Sequence, residues 1–422
     1  MEGLEITEIS YSYVKQNNDV FRFDSDYFKK EFIAEESLIR SKTFKTLKDL
    51  EVELKSFGAY SLTNHVTYIE SGIPFIRGIN MKNGRIIFDD MVYIDKATNS
   101  LLWKSEVKPE TVLLSMSGTV GDVALASKKW EYPVNSNQDI AKIDTKGMLN
   151  PYFLFAFLLS KFGQNYLNRE KRGSVQQHVF LSQMELFEIP LFNSNFYARI
   201  EELVIQSDEK LLFAEKFYQQ AETLLLETLG LKDFQPSTDP INIKSFKESF
   251  LATGRLDAEY YQRKYEDLTD KIKKHKHGYN KLEYYVDNYS TGFPFKSENY
   301  VEDGVPLIRI TNINNGVLDI TSAVKIPYDE LYLSEINIAK ENDILISMSG
   351  TIGNSCKIPS NIVAAVNQRI MRITPKNIDD KLLPLIINSI IGKNQLERIG
   401  TGGVQTNISA NDILNILIRN IL

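Results

Sequence analysis

The stretch that first suggests chemistry is SMSGTVGD, Ser115 to Asp122. Two glycines set among hydroxyls are the makings of a loop whose amides cradle phosphate. A Walker A loop, however, needs Gly, four residues, and then Gly-Lys-Ser/Thr. No lysine follows Gly121, nor Gly353 in the related stretch SMSGTIGN, so nucleotide hydrolysis is disfavoured. Two readings stay open. The stretch is a tight strand-to-strand turn needing glycine backbone freedom, or such a turn whose amides and hydroxyls (Ser117, Thr119, Ser349, Thr351) also touch a DNA phosphate.

Other chemical motifs fade under the same scrutiny. Asn150-Pro-Tyr-Phe resembles the Asn-Pro-Pro-Tyr/Phe motif of amino-methyltransferases but lacks the second proline, and no glycine-rich cofactor motif precedes it. It reads as a helix start with proline in the first turn. The four histidines are His65, His178, His275 and His277; KKHKH reads as a solvated loop rather than a metal site, and the acidic residues form no Asp…Glu-x-Lys nuclease pattern. No catalytic or metal-ligating set emerges, and this chain is expected to bind no cofactor of its own.

What does recur is a polar set. SMSGTVGD returns as SMSGTIGN, serines 115 and 347 lying 232 residues apart. At nearly the same spacing IPFIRGIN (Ile73 on) matches VPLIRITN (Val305 on), RFDSDYF (Arg22 on) matches RLDAEYY (Arg255 on), and GSVQQHV (Gly173 on) matches GGVQTNI (Gly402 on). VNSNQDI and VNQRI follow the two turns, with two residues lost in the second copy. The chain is therefore a tandem duplication. Both copies carry an arginine on the same strand (Arg77, Arg309), Asn-Gln after the turn (Asn137, Gln138; Asn367, Gln368) and glutamine in a Gly-flanked loop (Gln176, Gln405). Arginine to guanine and Asn or Gln to adenine are the favoured bidentate base contacts. Asn80, Lys82, Arg85, Gln177, Asn312, Asn314, Arg369 and Asn407 complete the candidate DNA-contacting set. The copies differ most in polar residues, QQHVF against QTNIS, as two scaffolds reading different short sequences would.

The elements that must position these residues are legible. TVLLSM and DILISM are apolar runs before a glycine turn, hence strands. IPFIRGI and VPLIRIT also read as strands, and KNGRIIF and NNGVLDI carry Asn-Gly hairpin turns. Between the copies, residues 196–229 contain neither proline nor glycine. Val204, Leu211, Tyr218 and Leu225 recur every seven residues, with Ser207, Ala214, Ala221 and Thr228 three residues after each. This is the stripe of a helix–helix seam. Such a helix, closed by Gly230, would be roughly 50 Å long at ~1.5 Å per residue. The expected fold is mixed α+β: a first domain over 1–191, a helical spacer and linker over 192–240, and a second domain over 241–422.

Composition bounds the rest. With 49 Lys and Arg against 55 Asp and Glu, the net charge is −6, so any positive surface for nucleic acid is local. A single cysteine, Cys356, permits no intrachain disulfide and suits a reducing cytoplasm. No apolar run is long enough to span a membrane.

On the duplicated SMSGT turns, the Gly-Val-Gln loops, RLDAEYY and the heptad helix between two copies, the chain resembles the specificity subunits of Type I restriction–modification systems. The resemblance implies a non-catalytic prokaryotic subunit whose two target-recognition domains each read one half of a split site in double-stranded DNA. It implies that the helical spacer sets the gap and docks methyltransferase subunits, which carry S-adenosylmethionine and methylate adenine, and that a translocating restriction subunit joins through them. The family pattern also leads one to expect a long helix after the second domain, whereas this chain ends in ISANDILNILIRNIL. The stripe Val204, Leu211, Tyr218, Leu225 is then expected to meet a methyltransferase subunit or a second copy of the chain. Three alternatives stand beside this reading: a specificity protein of a related Type II system, a stand-alone enzyme acting on nucleic acid, against which the absent cofactor and nuclease motifs argue, and a truncated decoy that binds methyltransferase subunits without productive DNA recognition.

Overall fold

The computed structural model describes residues 7–16, 22–57, 66–88, 90–173, 177–331, 338–400 and 407–420. The candidate residues Gln176 and Gln405, and His65, lie outside them. The chain divides into two compact units, Met1–Leu212 and Phe213–Leu422.

In the first unit, Val112–Ser115 is the strand expected from TVLLSM. It lies inside an antiparallel sheet ordered Glu53–Lys55, Ile140–Asp144, Val112–Ser115, Val123–Leu125. All four of its residues are buried, which explains an apolar run without alternation. Val112 and Leu114 enter one core beneath the helix Pro151–Leu159, whereas Leu113 enters another with Ala124 and Ile140. A second sheet is ordered Val92–Ile94, Ile73–Ile76, Val134–Ser136, Glu106–Val107, with the middle pair parallel. The Asn-Gly hairpin forms as expected. Met81–Lys82 pairs with Arg85–Ile86, and Asn83 and Gly84 both have positive φ, +50° and +79°. Asn150 starts its helix by accepting a hydrogen bond from the Phe153 N–H at 3.0 Å, with Pro151 at the first helical position.

The second unit repeats this plan. Ile344–Ser347 lies between Ile370–Pro375 and Ser355–Lys357, its residues Ile344 and Ile346 in one core and Leu345 in another. Cys356 is fully buried on this sheet, and burial pushes its thiol up to about 12, so it is an inert core residue. Strand register also locates the two-residue loss between the copies. Asn135 lies opposite Phe75, and Ala365 opposite Leu307. Phe75 and Leu307 are 232 residues apart but Asn135 and Ala365 only 230, so the loss precedes this strand. Asn137, Gln138 and Asp139 therefore correspond to Asn367, Gln368 and Arg369.

The spacer is one helix, Ser194–Thr228. It ends in a Schellman turn: Leu231 N–H donates to Leu226 O at 2.7 Å, Gly230 N–H to Glu227 O at 2.9 Å, and Gly230 has φ +65°. The segment ISANDILNILIRNIL does not begin a long helix. It forms the short helix Ala410–Leu414 and the strand Leu417–Arg419, which pairs with Tyr279–Lys281. In the first unit, Leu181–Met184 and Glu188–Pro190, paired with Phe44–Thr46, do the same. The segment is thus the closing strand of its domain.

Candidate nucleic-acid interface

Four chain segments meet at the glycine turn of each unit. In the first, the turn is held by Ser115 N–H to Asp122 O at 2.8 Å and Gly121 N–H to Ser115 O at 3.3 Å, with Gly118 and Gly121 at φ +74° and +104°. A side chain at Gly121 would meet only the flexible end of Gln164, at 2.9 Å, so it is the backbone conformation that requires glycine. Beside the turn a backbone ladder runs across three segments: Met116 N–H donates to Asp139 O at 2.7 Å, and Val179 N–H to Met116 O at 3.0 Å. In the second unit Met348 N–H donates to Arg369 O at 2.9 Å, and Ile408 N–H to Met348 O at 3.0 Å. The fourth segment joins through Asn137 N–H to Ile76 O at 2.9 Å and Asn367 N–H to Ile308 O at 3.0 Å. This brings the residues following Ile76 and Ile308, Arg77 and Arg309, to the same edge. In the second unit the edge carries a groove of about 270 Å³ lined by Met348, Gln368, Arg369, Asn407 and Ile408.

The candidate residues divide on this frame. Arg77 and Arg309 are half-buried, each at the start of a 3-10 turn. Arg77 donates through Nη2 to Asp90 O at 2.9 Å, and the Nε atoms of both arginines are buried without a hydrogen-bond partner. Thr119 and Thr351 are exposed, as are Gln177, Gln368, Arg369 and Asn407; Asn137, Gln138 and Asn367 are half-buried. Ser117 and Ser349 are 5% and 7% exposed, and Ser117 Oγ lies 3.1 Å from His178 Nε2.

Asn80 and Asn312 are a correction. They are 2% and 1% exposed, and their side chains are consumed in holding the turn. Asn80 Oδ1 accepts from Arg77 N–H at 3.0 Å and its amide donates to Ile87 O at 3.3 Å. Asn312 Oδ1 accepts from Arg309 N–H at 2.9 Å, and its amide donates to Asp319 O and Ser322 Oγ at 3.2 and 3.0 Å. They shape the backbone beneath the arginines and, being buried, present no exposed group to a base. Lys82, Arg85 and Asn314 sit on the Asn-Gly hairpins. The first hairpin packs at Gly84 toward Phe155 and Leu159, and Arg85 Nε lies 3.9 Å from Asp208 on the long helix. The glycine-turn ladder does not include them.

The helix stripe is the second correction. Leu225 is 5% exposed in the core of the second unit. Tyr218 is half-buried: its hydroxyl accepts from Asn388 Nδ2 at 3.0 Å, and its ring abuts Gly316. Val204 packs on the core of the first unit. Among the four, only Leu211 is exposed, at 42%. A heptad repeat marks a face that is buried without saying against what, and here most of it lies against the chain's own domains. The helix leaves other apolar side chains exposed, the most exposed being Phe213, Phe217 and Leu224, each above half.

Sequence reasoning also missed two groups. Asp139 and His178 stand at the ladder with Met116; their signal was the difference between copies at matched positions, NQD against NQR and QQHVF against QTNIS. The second is the role of RFDSDYF and RLDAEYY. Arg22 forms a two-pronged ion pair with Asp24 and donates to Arg169 O and Lys171 O at 3.0 and 2.9 Å. Arg255 pairs likewise with Asp257 and donates to Ile399 O at 2.9 Å. Each guanidinium thus neutralises the carbonyls ending the helix Lys161–Glu170 or Ile390–Gly400, where the Gly-Val-Gln loop begins. Among the described residues, no three His, Cys, Asp or Glu side chains gather as a metal-ligand set, and no helix is long and apolar enough to cross a membrane.

Residues 40–194 and 288–419, more than half of the chain, match the family of the Type I restriction modification DNA specificity domain. The chain belongs to this family and carries its domain twice. It is 40% identical over 70 residues to the specificity subunit of the Type I restriction enzyme EcoAI from Escherichia coli; that match spans 17% of this chain and 12% of the relative's length. Among solved structures it is similar to the Type I restriction–modification S subunit from M. genitalium, with 17% identity over 89% of this chain and 83% of that one and a TM-score of 0.39. The HsdS subunit from Thermoanaerobacter tengcongensis gives 13% identity, the same two coverages and a TM-score of 0.28.

Proposed function

We propose that this chain is the DNA-reading subunit of a restriction–modification complex and that each unit reads one half of a split double-stranded site. The observation that carries the reading is the repeated edge: the same backbone ladder at the glycine turn, flanked by arginine and by Asn-Gln, occurs once in each unit. The arginines and the exposed amides meet base edges, and the threonines with the turn amides meet phosphates. The net charge of −6 makes this a local contact rather than a basic coat. The long helix sets the gap between half-sites. Its exposed residues Phe213, Phe217 and Leu224 dock methyltransferase subunits, which carry S-adenosylmethionine and through which a restriction subunit joins.

Modified-base sequencing tests this in cells carrying the gene with its neighbouring methyltransferase. The expected result is methylated adenine in a bipartite motif that disappears when this gene is deleted. Methylation that persists unchanged after the deletion would contradict the proposal.

A further inference from the structure

The ladder positions at the glycine turn are the same in the two units, but the side chains on them are of opposite charge. Asp139 stands where the second unit has Arg369: each backbone carbonyl accepts the N–H of the methionine in the turn, Met116 at 2.7 Å and Met348 at 2.9 Å. On the far side of those methionines, His178 faces Asn407 in the same comparison, each in an antiparallel bridge to the serine of its turn. The surroundings fit the exchange. Asp139 Oδ2 accepts from Asn137 Nδ2 at 3.1 Å and Gln138 Nε2 at 3.3 Å, so the carboxylate is oriented by two amides. Arg369 Nη1 donates to Asn407 Oδ1 at 2.7 Å, which steadies its guanidinium beside the groove.

From this charge reversal we infer that Asp139 and Arg369 are the residues that make the two units prefer different bases. The inference rests on the reading of the chain as a DNA-specificity subunit. A carboxylate only accepts hydrogen bonds, and phosphates repel it. Its favourable partner in the major groove is an exocyclic amino group, on cytosine N4 or adenine N6. A guanidinium only donates, and its fork matches guanine O6 and N7. Asp139 therefore selects an amino-bearing base at one position of its half-site and disfavours guanine there. Arg369 selects guanine at the matching position of the other. Each residue discriminates by repelling the wrong base edge as well as by pairing with the right one.

The test is the methylated motif recorded with the full chain and its methyltransferase, for wild type, Arg369→Asp, Arg369→Lys and Asp139→Asn. Arg369→Asp is expected to change a single base position, in one half only, from guanine to cytosine or adenine. Methylation of the original site should fall roughly ten- to hundredfold. Arg369→Lys keeps the charge and loses the fork, and should relax the same position without lowering methylation elsewhere. Asp139→Asn should relax one position in the opposite half. Three results would overturn the inference: an unchanged motif in all variants, a loss spread evenly over every site (the mark of a phosphate contact), or Arg369→Lys behaving as wild type. A wild-type protein that yields no bipartite motif would overturn the specificity reading itself, and this inference with it.

Discussion

The two units solve one core position in opposite ways. In the first, Lys142 is buried on the strand Ile140–Asp144 with no carboxylate partner among the described residues; its side-chain nitrogen bonds Ser136 Oγ and Ile140 O, each at 3.0 Å. In the second, Arg372 occupies the matching strand place and contacts both Asp343 oxygens at 3.2 Å, with Ser290 Oγ at 3.1 Å. Nearby, Asn135 is fully buried in a network with Ser105 and Asn99, whereas the second unit has Ala365 in an apolar cluster. Backbone register persists while buried polarity is rearranged. The duplicated scaffold therefore tolerates exchange of charge both inside and at the edge beside the glycine turn, where the backbone ladder is the same in both units.

The largest effect is expected at the buried ion pair of the second unit. Asp343→Ala leaves Arg372 without its carboxylate and should destabilise the second unit by about 3–5 kcal/mol. Both tryptophans, Trp103 and Trp130, lie in the first unit, so their fluorescence transition should not move while a circular-dichroism melt shifts down.

Lys142 is expected to respond in the opposite direction. Burial pushes its ammonium down to about 7 from an ordinary 10.5. Between those values the unfolded chain holds a proton that the folded chain lacks, so this contribution to stability rises with pH through that window. It is complete above 10.5 and lost as pH falls toward 7, a change on the order of 4 kcal/mol. Lys142→Met should therefore stabilise the first unit at pH 7, followed by tryptophan fluorescence in denaturant, with the advantage vanishing above pH 10.5. An advantage that does not vary with pH would show that packing, not charge, is responsible.

A smaller effect is expected at the Arg-x-Asp clamp. Arg255→Ala removes charged hydrogen bonds worth roughly 1.5–3 kcal/mol each, and should speed amide hydrogen exchange in the last turn of Ile390–Gly400 while leaving Lys161–Glu170 unchanged. Smallest is Tyr218→Phe, which deprives Asn388 of one partner. It should cost about 1 kcal/mol of second-unit stability and leave the helix content intact by circular dichroism.

Much of this frame was legible beforehand. TVLLSM and DILISM had to be buried strands because runs so apolar have no polar face to offer water. Asn83-Gly84 had to turn because both residues tolerate positive φ. What escaped depended on long-range register. Asn80 and Asn312 look like readers in sequence, but a buried amide beside a 3-10 turn is taken by backbone groups seven residues away. The Val204–Leu225 stripe has coiled-coil spacing, yet periodicity is blind to whether the covering surface is another helix or the chain's own domain. Asp139 and Arg369 already stand opposite each other in NQD and NQR, but only the pairing with Phe75 and Leu307 places the two-residue loss and brings both residues to the glycine turn.

Each unit is proposed to read its own half of one site. The most direct measurement is the methylated motif of Arg77→Ala and of Arg309→Ala, each compared with wild type. Loss of a good base contact costs about 1–3 kcal/mol. Each substitution is expected to degrade one half-site, a different half in each case, while the untouched half stays fully specified. If both substitutions weakened methylation equally at every sequence, the arginines would be holding phosphates, and the assignment of one half-site to each unit would be contradicted.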